Sequence, residues 1–245
     1  KSIKLKSYLE GFDWLNDLAA VGNFEALKLA QDWVFEWISS DKENQEYKWG
    51  LETLTHRLFS WISHSGFLLK TQNLTLSQSY IESLEQQAFF LEKRWKSLQS
   101  NIVRFKALVL LISVGIYIDN KNYLIRYSSD ELDKEIRNSF DGDGGVYSRD
   151  PNILSQIFSL LTWAEILLKK IEFKLTENHR SIILKSAPIL RSLRHSDGSL
   201  LGFRGKTELP KQYLDRALIN SGVKYSVPKR EIMGYARLGR KNISI

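Results

Sequence analysis

An all-α fold is expected from this sequence on three grounds. Apolar residues recur at helical spacing over most of the chain, helix-start signals stand in front of the stripes, and helix breakers are rare. Only 4 prolines and 14 glycines occur in 245 residues. With 43% apolar residues, the chain can bury a sizeable core.

The stripes place helices over roughly 4–20, 23–39, 51–69, 76–98, 101–118, 129–140, 153–171 and 178–193. In 153–171 the apolar set is Ile153, Leu154, Ile157, Phe158, Leu161, Ala164, Leu167, Leu168 and Ile171. Asp150 is a good N-cap there and Pro151 suits the first turn. The run 107–118 is the most apolar. It falls short of the roughly 20 residues a membrane helix needs and reads as a buried helix, so no transmembrane segment is expected. Linkers at 40–48, 70–73, 119–123, 141–150 and 176–177 are short and polar, which favours antiparallel hairpins of helices.

The character changes after Arg194. Ser196-Asp197-Gly198-Ser199 is turn chemistry, and 209–220 reads as one more helix. From Glu231 the pattern reads as a strand, a turn at Gly239-Arg240 and a second strand. Two strands are marginal alone in water, so they point to a β domain downstream. The expected division is a helical domain over 1–228 and the start of a β domain over 229–245.

The net charge of +7, with a pI near 9.4, favours anionic partners: nucleic acid, acidic lipid or acidic polysaccharide. General solubility explains the charge equally well. The basic residues are spread along the chain without a reader motif, so nucleic acid is not expected. The absence of cysteine excludes a disulfide framework and a cysteine-ligated metal. It leaves cytoplasm and periplasm both open. The opening Lys1-Ser2-Ile3-Lys4 has neither an initiator Met nor a signal-peptide core, which suggests an excerpt of a longer chain. Walker, Rossmann, His-Glu-x-x-His and Gly-x-Ser-x-Gly motifs are missing, and no histidines pair at i, i+4. No cofactor and no metal are expected.

Three polar clusters remain. The first holds His56, Arg57, Trp61 and His64, of which the last three share a helix face. Arg grips a carboxylate, Trp stacks on a sugar ring and His moves a proton, a set that suits a sugar acid. The plain alternative is a helix flank with a snorkelling Arg and a partly buried Trp. The second is 141–151, Asp-Gly-Asp-Gly-Gly-Val-Tyr-Ser-Arg-Asp-Pro. Its glycines free the backbone, and Tyr147, Ser148 and Arg149 precede a helix N-terminus, which attracts anions. An ordinary helix–helix turn is the alternative. A calcium loop fits poorly, since Gly145 and Asn152 stand at ligand positions. The third is Arg194-His195-Ser196-Asp197-Gly198 with Phe203-Arg204-Gly205, which a solvated turn also explains.

At these residues the chain resembles the heparinase II/III-like family, particularly a branch found in alphaproteobacteria. The resemblance runs over most of the chain. It is carried by Phe12-Asp-Trp-Leu15, Arg57-Leu-Phe-Ser-Trp61-Ile-Ser-His64-Ser65, Asp143-Gly-Gly-Val-Tyr-Ser-Arg149-Asp-Pro151, Leu193-Arg-His-Ser-Asp-Gly198 and Gly234-Tyr-Ala-Arg-Leu-Gly239. It implies an incomplete (α/α) toroid leading into a β-sandwich domain of the same full-length chain. Characterised members are lyases that cleave uronate-containing chains such as glycosaminoglycan or alginate by β-elimination. A cation neutralises the uronate carboxylate, a Tyr or His removes the adjacent proton, and an acid assists the leaving oxygen.

The sequence departs from the family pattern in three places. Ser100-Asn101-Ile102 keeps only the Asn of an Asn-His pair, Pro151-Asn-Ile-Leu154 lacks a Tyr, and Val146 replaces a His. Chosen on chemistry, the expected catalytic residues are His64, Tyr147 and Arg149. The expected substrate-binding residues are Arg57, Trp61, Asn101, Asp143, His195 and Arg204. The implied function is cleavage or binding of an acidic polysaccharide, with a non-catalytic glycan-binding or scaffold module as the alternative.

Overall fold

The computed structural model describes residues 3–40, 50–70, 74–195, 197–202, 211–224, 231–236, 239–240 and 243–244. The linker expectations over 41–48 and 71–73 lie outside them. The chain divides into two units, Lys1–Ile125 and Arg126–Ile245.

The first unit contains α1 (Ile3–Glu10), α2 (Leu15–Val21), α3 (Phe24–Ser39), α4 (Leu51–Ser63), α5 (Ser65–Leu68), α6 (Leu74–Arg94), a 3-10 turn (Trp95–Ser97) and α7 (Asn101–Tyr117). The single helix expected over 4–20 is broken at 11–14. Phe12 there takes φ 57° and its ring is only 2% exposed. A left-handed residue ends a helix, and burying an aromatic ring offsets the backbone strain. Gly22 (φ 66°) closes α2, and the Asn23 side chain accepts from the Ala26 N–H at 2.8 Å to open α3. Helix α4 packs against α1, α6 and α7 and is the centre of the unit. In α7 every residue from Ala107 to Gly115 is buried, as the apolar run 107–118 required.

The second unit takes in most of α8 (Tyr123–Ser139), then α9 (Pro151–Lys170), α10 (Glu177–Ser192) and α11 (Lys211–Asn220). Helix α9 packs on both α10 and α11. It starts where the sequence predicts: the Asp150 side chain accepts from the Asn152 N–H at 2.8 Å and Pro151 follows. By length and composition α9 could cross a membrane, but 67% of its apolar window is buried inside the protein. It also carries the buried Glu165, which accepts from Arg180 at 3.0 Å and pairs with Lys169 at 2.8 Å. Helix α8 begins at Tyr123 rather than near 129, since the buried position between Leu124 and Leu132 is Ser128, which interrupts the apolar stripe.

The C-terminal segment differs from the expected strand–turn–strand. Strand β1 (Glu231–Ile232) pairs antiparallel with β2 (Tyr235–Ala236), and β3 (Gly239–Arg240) pairs with β4 (Ile243–Ser244). The first expected strand is therefore itself a tight hairpin. Met233 (φ 53°) and Gly234 (φ 76°) both take the left-handed turn conformation that twisted two-residue hairpins require.

Candidate functional site

Two of the expected substrate-binding residues are interior. Arg57 is fully buried, its Nε donating to Gln87 Oε1 at 2.7 Å and its Nη1 to the Glu10 carbonyl at 3.1 Å. Its guanidinium lies 4.3 Å from the Trp37 ring centroid. Burial pushes its pKa down to about 9, against the opposing pull of Glu10. Arg57 thus ties α1, α3 and α6 to α4 and is no surface grip for a carboxylate. Trp61 is also fully buried, edge-on to Phe12 and Trp37 and stacked on Tyr80 with centroids 5.2 Å apart. Stacking on a sugar needs an open ring face, and Trp61 has none. The physical reason is shared. The apolar stripe of α4 is wide enough to carry positions 57 and 61 into the core, and only His64, at the helix end, reaches partial exposure.

His64 holds its Nδ1 2.7 Å from the Ser60 carbonyl. That bond requires a proton on Nδ1, which leaves Nε2 as the acceptor in the neutral ring. Asn101 is exposed at the first turn of α7.

The first unit contains another polar group that the sequence brought only half into view. His56 of α4 has its Nδ1 3.4 Å from Lys106 Nζ of α7. Burial first, and then the Lys106 charge, push the imidazole down to about 4. Asp13, in the turn after α1, is raised by burial and held back by the same lysine. Here a neutral imidazole, a fixed ammonium and a carboxylate come from three elements. Only His56 was visible as a candidate. The available signal for Lys106 was its place, with Arg104, as one of two cations inside the most apolar helix.

This pair makes stability pH-dependent. The folded pKa of about 4 lies below the ordinary 6.5, so the unfolded chain binds more protons between those values. The His56 contribution is complete above pH 6.5 and fades as the pH falls to 4. Its size is about 3 kcal/mol. Urea unfolding of the wild type and His56→Gln at pH 7 and pH 4 should show the wild type losing about that much more. Equal losses would mean that His56 is not held neutral.

The 141–151 junction lies in the second unit and is fixed from several sides. Asp141 Oδ1 accepts from the N–H groups of Asp143 and Gly145, both at 2.9 Å, so this carboxylate builds the turn. Phe140 bridges Val146, which is 2% exposed and points inward. Ser186 Oγ donates to the Gly144 carbonyl at 2.7 Å and Lys185 Nζ to the Gly142 carbonyl at 2.8 Å, both from α10. A Cβ on Gly145 would stand 2.7 Å from Met233 Cγ, which is why the hairpin can rest there. Arg149 takes φ 54°, and Tyr235 Oη donates to its carbonyl at 2.9 Å. Its guanidinium lies against Gly234, whose Cβ position is 3.1 Å from Nη1. On this frame Asp143, Tyr147 and Arg149 are exposed, Tyr147 by 65%.

His195 is exposed in a different loop of the same unit, after α10, with its N–H bound to the Ser199 carbonyl at 2.8 Å. Arg204 lies outside the described residues. Arg57, Trp61, His64 and Asn101 belong to the first unit, and Asp143, Tyr147, Arg149 and His195 to the second. Among the described residues no cluster of three or more carboxylate and imidazole groups could hold a metal ion.

The helical organisation is that of a heparinase-like fold. The chain is similar to the crystal structure of heparinase III, with a TM-score of 0.64 over 78% of this chain at 15% sequence identity. It spans 31% of that chain's length. Neither a family model nor a curated protein matches the sequence.

Proposed function

We propose that this chain is the helical part of a polysaccharide lyase that cleaves an acidic, uronate-containing polymer by β-elimination. The observation that carries the reading is the exposed Tyr147–Arg149 pair on a backbone braced by α10 and by the β1–β2 hairpin. Arg149 neutralises the uronate carboxylate, which acidifies the proton on the adjacent carbon. Tyr147 takes that proton or gives one to the leaving oxygen. Asp143, Asn101, His195 and Arg204 are proposed contacts to the polymer. A β-sandwich domain of the full-length protein is proposed to contribute further contacts to the polymer. The fold likeness and the basic charge of +7 support this assignment.

The test is a panel of uronate polymers incubated with the full-length protein, read as new ultraviolet absorbance from an unsaturated uronate. Arg149→Ala and Tyr147→Phe should each lower turnover by roughly a hundredfold. No absorbance on any polymer would overturn the lyase reading.

One observation favours a second reading, a glycan-binding module without turnover. Ser100-Asn101-Ile102 keeps only the Asn of the family's Asn-His pair and Pro151-Asn-Ile-Leu154 lacks its Tyr, so proton-transfer groups of the characterised lyases are missing. That reading expects salt-sensitive binding to the same polymers with no new absorbance.

A further inference from the structure

We infer that the shallow pocket after α10 is an oxyanion-binding site, a place for a carboxylate or sulfate group. It is lined by Arg191, Arg194, His195, Asp197, Gly198 and Lys211. Four of these six can carry positive charge. Against Arg191, Arg194 and Lys211 stand only Asp197 and the Asp215 that pairs with Arg194, which leaves an excess of positive charge for an anion to offset.

Gly198 is the geometric key. It takes φ +83°, and the place its Cβ would fill lies 2.7 Å from Arg194 Nη2 and 3.0 Å from Lys211 Nζ. Lys211 Cε lies closer still, 2.5 Å from that point, so the lysine stem packs directly on Gly198 and the glycine is what lets the Arg194 and Lys211 cations come together over the loop. Each is anchored from behind. Arg194 Nε donates to the Gly198 carbonyl at 2.7 Å and its Nη2 pairs with Asp215, while Lys211 Nζ donates to the Asp197 carbonyl. Anchored cations lose little freedom when an anion arrives.

Arg191 adds an unmet demand. Its Nη2 donates to the Val223 carbonyl at 2.6 Å, whereas its Nη1 is buried with no hydrogen-bond partner among the described residues. A buried unpaired guanidinium N–H is costly, and an anion in the pocket lessens that cost through its charge. The one lining carboxylate, Asp197, is committed to its own loop: its Oδ1 accepts from the Ser199 N–H at 2.8 Å and the Ser199 hydroxyl at 2.7 Å. Those bonds hold its pKa below the ordinary value.

The site does not depend on lyase activity, and its test does not use turnover. Calorimetric titration of the whole chain with sodium sulfate and with sodium glucuronate, at fixed ionic strength, should show binding of at least one. Lys211→Met should weaken it about tenfold, the effect of losing one charge-assisted hydrogen bond, with an unchanged thermal midpoint. His195→Gln, a second exposed lining residue, should weaken it to a smaller extent. Tighter sulfate binding would mark a sulfate site and tighter glucuronate binding a carboxylate site. Binding of neither anion, or equal binding by the wild type and both variants, would overturn the proposal.

Discussion

Trp61→Ala is expected to destabilise the first unit by about 4 kcal/mol, measured by urea unfolding. The indole is fully buried and touches Phe12, Trp37 and Tyr80, and Tyr80 Oη donates to the Trp61 carbonyl at 2.8 Å. Removing it opens a cavity between the 11–14 turn, α3, α4 and α6 that rigid helices close only in part. Trp61→Phe should cost only about 1 kcal/mol. It keeps an aromatic ring and removes an indole Nε1 that is buried with no partner among the described residues. The same variant should leave affinity for acidic polysaccharides unchanged. Reduced binding by a well-folded Trp61→Phe would restore Trp61 as a sugar platform and count against the interior assignment.

The Trp61 case shows where the sequence was legible and where it stopped. Periodicity located the helices well, because a stripe of Leu, Ile and Val at helical spacing has one stable use. Boundaries failed where a side chain overrode the stripe. Phe12 breaks the first helix to bury its ring, and a buried Ser128 between Leu124 and Leu132 interrupts the stripe of α8 and hides its start. The 141–151 junction was legible as a glycine-dependent turn before a capped helix, and Asp150, Pro151 and Gly144 all serve that geometry. Spacing alone could not say which way a face points. Arg57, Trp61 and His64 share a face, but the core takes the first two, because a buried guanidinium with partners on Gln87 and Glu10 looks the same in sequence as an exposed one. Lys106 and Asp13 were missed since their meeting with His56 joins residues far apart in the chain, which no local pattern records.

The other large effect is expected at Gly144. Its φ of +94° is strained for any residue with a side chain, and a Cβ there would stand 2.4 Å from Lys185 Cβ and 2.9 Å from the Lys185 carbonyl carbon. The obstruction includes the backbone of α10, which cannot swing aside like the end of a flexible chain. Strain of about 1–2 kcal/mol adds to overpacking of about 1–3 kcal/mol. Moving the loop would also break the bond from Ser186 Oγ to the Gly144 carbonyl, worth about 1 kcal/mol. Gly144→Ala should therefore cost about 4 kcal/mol in the second unit. Gly142→Ala is the matched control, for its Cβ would meet nothing within 4 Å and should change stability by less than about 0.5 kcal/mol. The comparison bears on function because the same backbone carries Tyr147 and Arg149. If Gly144→Ala were tolerated as easily as Gly142→Ala, the junction would not be seated on α10. The rigid presentation of Tyr147 and Arg149, on which the lyase reading rests, would then be lost.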